Sequence, residues 1–387
     1  MTPMGHPSRF LTGMVIGLAI LLCPLGWLAY IGELFPEVAT WSARGVVLRG
    51  TGFFDYPEYK TQSWRALRPN VAMLGSSRVM QLRKEVFAGC PESWPRPGDA
   101  CFYNAGGISL SLATGLDALR ALPDDGWPKV LLLGIDIWHV NPHMGNGSGM
   151  PGPLNRSQKW ERGFTRALTS LRSAYESERL RSSLNPLAPP YLTRQLRPVG
   201  TTAWSQGAGF RPDGSYTYGA RHDPSRVDRR AALSEGLEQI RNNSGRFIPF
   251  PEPQERALAD LRAILTAARS HGTVVIGFTP PFMDEFVQQL VADPVHRAWW
   301  APAHAALSRE FATAGLPFFA FDSLTSAGCQ DDEFVDYLHP AEPCMAKLLL
   351  RLISSDEEAA RALAGYADRA SLERLTSARS SRLFLVR

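Results

Sequence analysis

The chain has 387 residues, 44 % hydrophobic and 20 % charged, with 41 basic and 37 acidic residues and a formal net charge of +4. That is globular composition with ample length for a buried core, not the composition of a disordered chain. The basic residues are scattered and form no block, which argues against nucleic acid as a partner.

After a short tail, residues 1–9, the run from Phe10 to Phe35 is almost wholly apolar, with no charge before Glu33. A bilayer crossing needs about 20 such residues. Residues 10–35 are therefore expected to be a transmembrane anchor, with a buried core helix as the alternative. No small-x-small exit of a cleaved signal peptide is evident. Ile20-Leu21-Leu22-Cys23 also lacks the small residues of a lipoprotein cleavage box. Arg9 precedes the run, and Glu33 and Glu37 follow it. The positive-inside rule then puts the N-terminus in the cytoplasm and the remainder outside.

Short apolar runs at Val71–Leu74, Cys101–Tyr103, Val130–Ile137, Thr273–Thr279 and Pro317–Phe321 read as buried parallel strands. Helical periodicity lies between the later ones, over Pro253–His271 and over Ala301–Ala314, which Gly315 ends. This alternation predicts an α/β fold with a doubly wound, mostly parallel sheet that binds ligands at the carboxyl ends of its strands. Residues 36–354 form the exported domain in this reading. The turn-rich stretch from Asn141 to Pro251, with one helix-like run over Ser157–Leu180, is expected as a loop-rich insertion over that edge, a separate domain being the alternative. Residues 355–387 suggest a terminal helix with a basic face.

Apart from Cys23, four cysteines remain, in two close pairs: Cys90 with Cys101, and Cys329 with Cys344. Four cysteines permit three pairings. The sequential one suits loop staples in an oxidising compartment, and four buried free thiols are the alternative.

Two segments carry chemistry. Gly75-Ser76-Ser77-Arg78 closes the first strand, where a sharp turn into a helix lifts a side chain to the sheet edge. A serine there serves as nucleophile once a base takes its proton, although Ser-Ser after a strand is commonly a helix cap. Asp336-Tyr337-Leu338-His339-Pro340 follows the last strand, with a carboxylate placed to bond the imidazole and support its charged form. Other signals are weaker. His139-x-x-x-His143 has metal-ligand spacing, yet Pro142 interrupts a helix and no third ligand is evident, so no metal is expected. Trp299-Trp300 reads as a carbohydrate platform or, more commonly, as core.

With these segments the chain resembles the SGNH/GDSL hydrolase superfamily. Gly75-Ser76-Ser77 matches its first block, Asn104-Ala105-Gly106-Gly107 its second, and Asp336-x-x-His339 its last, in the same order and strand context over residues 70–350 or so. The resemblance implies a flavodoxin-like sheet, with Ser77 as nucleophile, His339 as general base and Asp336 as the orienting carboxylate. It also implies an oxyanion hole made by the N–H groups of Ser77 and Gly106, and no cofactor. Two departures stand out. Ser76 replaces the usual aspartate, and Gly134-Ile135-Asp136 stands where the family carries an asparagine that donates to the oxyanion. An ionised Asp136 would repel that charge, so it is expected to be protonated, turned away or structural; Asn141 substitutes only if its loop curls back.

The Gly-x-Asp-x-Trp pattern at Gly134–Trp138 looks like that of single-pass, exported SGNH-like proteins of envelope polysaccharide modification, including the alginate O-acetylation and teichoic-acid D-alanylation factors. Such a resemblance implies a bacterial inner-membrane protein with its catalytic domain on the extracytoplasmic side. Its partner would be a membrane-bound O-acyltransferase and its substrate a glycan or acyl ester. In the insertion, Arg211 within Gly209–Tyr216 is a candidate contact to sugar or phosphate, with a plain surface turn as the alternative. A non-catalytic SGNH-like scaffold is the rival to an acyltransferase or esterase.

Overall fold

The computed structural model describes residues 7–30, 47–49, 56–88, 90–91, 98, 100–144, 161, 165, 196–219 and 229–377. Nine strands lie among them: β1 (Val47–Arg49), β2 (Val71–Gly75), β3 (Phe102–Gly106), β4 (Val130–Gly134), β5 (Arg197–Val199), β6 (Gly209–Phe210), β7 (Tyr216–Thr217), β8 (Val274–Thr279) and β9 (Phe318–Ala320). Five of them form the central sheet in the order β3-β2-β4-β8-β9, and every pairing in it is parallel. Counted along the chain this is the 2-1-3-4-5 order of flavodoxin-like sheets, whose switch point lies beside the first strand. That strand is β2, and it leads directly into Ser77.

The strands are continuous apolar runs because helices cover both sheet faces. Every residue of β2, β3 and β4 is buried. The helix Glu255–Ser270 buries Leu258, Leu261, Ile264 and Leu265 at helical spacing, and the helix Leu112–Arg120 packs against it. The expected helix over 301–314 starts earlier, at Pro294, because Asp293 caps its N-terminus and Pro294 suits its first turn. The expected strand over 130–137 ends at Gly134, since Ile137–Val140 turns as a 3-10 helix. The expected strand at 101–103 instead runs from Phe102 to Gly106, so the whole Asn104-Ala105-Gly106 segment pairs with β2.

Of the insertion, residues 196–219 build a small second sheet with β1, in the order β5-β1-β6-β7. Its hairpin shares an apolar cluster with the main domain, made of Phe210, Tyr216 and Tyr218 with Tyr59, Met80, Val335 and Ala341. The remainder of the helix-like run at 157–180 lies outside the described residues, apart from helical positions 161 and 165. Both sequential disulfides are present. Cys90 and Cys101 have Cα atoms 5.4 Å apart, and Cys329 and Cys344 5.1 Å. The C-terminal segment holds two helices, Glu357–Leu363 and Arg369–Ser377, where one was expected.

The N-terminal run is a 24-residue helix, Pro7–Tyr30, whose Leu11, Met14, Val15, Ile16, Leu18 and Leu22 are all exposed. That exposure departs from the buried-core alternative. Residues 31–35 of the expected span lie outside the described residues, as do several side chains within the helix. Among the described residues no helix is long and apolar enough to cross a membrane. The anchor thus rests on the sequence.

Candidate functional site

The carboxyl end of β2 is crowded, and Gly75 is what permits the turn there. A Cβ on it would stand 2.8 Å from Val79 Cγ2 and 2.9 Å from the Gly134 carbonyl. The next two residues divide the work that either serine could do. Ser76 is the cap of the short 3-10 helix Ser77–Val79, its Oγ accepting from the Arg78 N–H at 3.2 Å. Ser77 is therefore released from capping, and its Oγ lies 2.9 Å from His339 Nε2.

His339 arrives from the opposite side of the edge on a tight loop. Val335 N–H donates to the His339 carbonyl at 2.9 Å, and Ala341 N–H to the Glu333 carbonyl at 2.7 Å. The Cys329–Cys344 disulfide brackets this loop. Inside it, Asp336 Oδ2 accepts from His339 Nδ1 at 2.7 Å. Asp336 Oδ1 accepts from the backbone N–H groups of Leu338 and His339 at 3.0 and 2.9 Å. With Nδ1 holding its proton toward Asp336, Nε2 offers a lone pair to the Ser77 hydroxyl, the arrangement a general base requires. The Tyr218 ring, from the strand end beyond β7, packs 5.7 Å from the imidazole.

Burial by itself would raise the Asp336 carboxyl. The His339 ring and the N–H donors outweigh it and bring the group down from 3.8 to about 2. Because the folded value is depressed, the stabilisation is complete above the unfolded value and is lost as pH falls through the folded one. Its size is on the order of 2 kcal/mol. Urea denaturation should therefore show the gap in stability between the wild type and Asp336→Asn shrinking from about pH 4 to about pH 2. A gap that stays constant over that range contradicts the pairing.

The remaining sequence candidates do other work. Asp136 is fully buried and paired with Arg78 Nη1 at 3.0 Å. It is structural. Asn141 does not curl back to the site: its Nδ2 donates to the Ile248 carbonyl at 2.8 Å and its Oδ1 accepts from His143 N–H at 2.9 Å. The Gly106 N–H, expected in the oxyanion hole, is already spent on Asn104 Oδ1 at 2.7 Å. Asn104 is held in turn by donating to the Val79 and Leu82 carbonyls. Of the two N–H groups expected there, that of Ser77 is the one with no hydrogen-bond partner among the described residues.

Arg211 is not a surface residue. It is buried on Glu342 Oε1 at 2.8 Å, and Arg83 holds the other carboxylate oxygen at 3.0 Å. Burial, then the Arg83 charge, lowers its pKa. An isolated charge could not reside there; Glu342, with Glu85 on Arg83 at 3.2 Å, is what makes the pair tolerable. Trp299 and Trp300 are core, 1 % and 6 % exposed, and form no platform. His139 is buried while His143 is exposed.

Sequence reasoning missed two residues. Asn104 belongs to the second block, but only the structure shows that it fastens Gly106. Lys60 is fully buried, donates to the Gly106 carbonyl, and sits over the Phe210 ring at 4.5 Å. Burial holds its pKa well below the ordinary lysine value. A lysine in a helix otherwise carries no sequence signal of burial. No family model matches this chain, and no curated protein sequence does.

Proposed function

We propose that the chain is an SGNH-like serine enzyme, an O-acyltransferase or esterase acting on a cell-envelope polysaccharide through a covalent Ser77 acyl intermediate. One observation carries this reading: the continuous hydrogen-bonded series Ser77–His339–Asp336, assembled from opposite ends of the chain. In the first half-reaction Ser77 Oγ bonds to the acyl carbon while its proton passes to His339 Nε2. That proton then leaves on the alcohol oxygen of the donor as the ester bond breaks. In the second half-reaction a sugar hydroxyl or water gives its proton to Nε2 and takes the acyl group. The Ser77 N–H stabilises the oxyanion in both.

The same proposal places residues 10–35 across a bacterial inner membrane and the domain on its outer side, beside a membrane-bound O-acyltransferase. Two disulfides in the domain support an oxidising compartment. The apolar N-terminal run supports a tether, which would hold the site near a donor in the bilayer.

A fluorophosphonate probe tests the chemistry, since Oγ must displace fluoride from phosphorus with His339 accepting the proton. Labelling at Ser77 that disappears in His339→Ala is the expected result. Untreated enzyme is then offered an acyl ester, with and without sugar; acyl sugar marks a transferase and free acid an esterase. A wild type that does not label favours the second reading, a non-catalytic SGNH-like glycan-binding or scaffold subunit. The observation behind that reading is the commitment of Gly106 N–H to Asn104, since each oxyanion donor is worth about 3–4 kcal/mol.

A further inference from the structure

Arg78 is an unusual residue to find fully inside a protein, and it directly follows Ser77. It is 1 % exposed, and its guanidinium makes four hydrogen bonds to three different segments. Nε donates to the Leu338 carbonyl at 2.9 Å. Nη1 donates to Asp136 Oδ1 at 3.0 Å, just beyond β4. Nη2 donates to the carbonyls of Pro280 and Pro281 at 2.6 and 2.7 Å, just beyond β8. The plane lies over the Phe282 ring, 3.7 Å from its centroid, with Trp138 at 5.3 Å.

We infer that Arg78 is a positioning residue for the Ser77–His339 pair, and that Asp136 serves it as the charge partner that lets a guanidinium reside at the sheet edge. This rests on the serine-enzyme reading above. The geometry is direct. Arg78 is bonded to the nucleophile through one peptide, and its Nε grips the carbonyl of the peptide that links Leu338 to His339. The nucleophile and the base are thereby referred to one rigid planar group. A guanidinium suits this role because its five donors lie in a fixed fork, whereas an ammonium on a flexible stem fixes no angle. Carbonyls from Pro280 and Pro281 require no charge partner, but the buried cation does, and among the described residues Asp136 is the carboxylate paired with it. Burial lowers the Arg78 pKa and Asp136 holds it up at about 10, so the group keeps its charge at neutral pH. Asp136 stands where an oxyanion donor was expected because the position has been given to the second task.

Removing Arg78 alone would strand a buried carboxylate, so the decisive variant is Arg78→Met/Asp136→Asn, which removes both charges together. Arg78→Lys, which keeps the charge and loses the fork, is the companion should the double variant not fold. The first measurement is the rate constant of fluorophosphonate labelling per folded molecule. We expect a fall of about 100-fold in the double variant, the cost of roughly an ångström of misplacement, and a smaller fall in Arg78→Lys. A folded variant that labels at the wild-type rate overturns the inference, since a merely structural residue would move the melting temperature and not this rate. The second measurement needs no catalysis: the 15N shifts of the His339 ring in wild type and variant. A change in them marks loss of the Ser77 and Asp336 bonds, and identical shifts overturn the inference. A wild type that does not label removes the catalytic reading alone, and the shifts still decide the role of Arg78.

Discussion

Replacing Ser77 by Ala should lower acyl-ester turnover by about 10⁶-fold, the scale seen when a serine nucleophile is deleted from a triad. The fold should be unaffected. Ser76, not Ser77, caps the turn, and among the described residues the only side-chain hydrogen bond given up is the 2.9 Å contact to His339. The comparison that matters is turnover of a small activated ester against the thermal melting curve of the same preparation. Turnover lost with an unchanged melt assigns the nucleophile. Turnover retained would mean that the activity resides elsewhere, and the proposed intermediate would then be abandoned.

Asp336→Asn is the second large effect, at about 10⁴-fold in kcat, and its cause is a tautomer rather than a lost contact. Asp336 Oδ1 is pinned by two backbone N–H groups, so the amide oxygen of an asparagine must occupy that position. Its NH2 then takes the place of Oδ2, facing His339 Nδ1 across 2.7 Å. A donor there obliges Nδ1 to become the acceptor and moves the ring proton to Nε2, where it blocks removal of the Ser77 proton. The 15N shifts of the ring report this directly, and kcat for the same ester measures its consequence. Wild-type kcat in this variant would remove Asp336 from the mechanism.

The sequence was informative wherever local chemistry decides local structure. Unbroken apolar runs such as Val71–Leu74 mark strands covered on both faces, and their order with the intervening helices yields the parallel sheet. Gly75 marks the sharp turn because no other residue fits between Val79 and the Gly134 carbonyl. The four-residue block Asp336–His339 is self-contained, so its internal bonds were legible from spacing. The close cysteine pairs were legible for the same reason: short loops bring their ends together at little cost in chain entropy.

What the tertiary structure decided is the use of polar groups that meet across long separations. Ser77 and His339 are 262 residues apart, and no property of either predicts their distance. Arg211 and Glu342 are 131 apart, and this pairing turns a candidate substrate contact into buried structure. The Gly106 N–H is diverted by a side chain two residues away, but only because Asn104 is itself held by carbonyls from the turn after β2. Burial makes each such choice exclusive. A polar atom removed from water takes the partner the fold brings to it, and is then unavailable for chemistry. The sequence by itself determined the sheet, the turn at Gly75 and the Asp336–His339 pair. Which serine faces that pair, and the diversion of Asp136 to Arg78, were decided only when β2, β4, β8 and the C-terminal loop met at one edge.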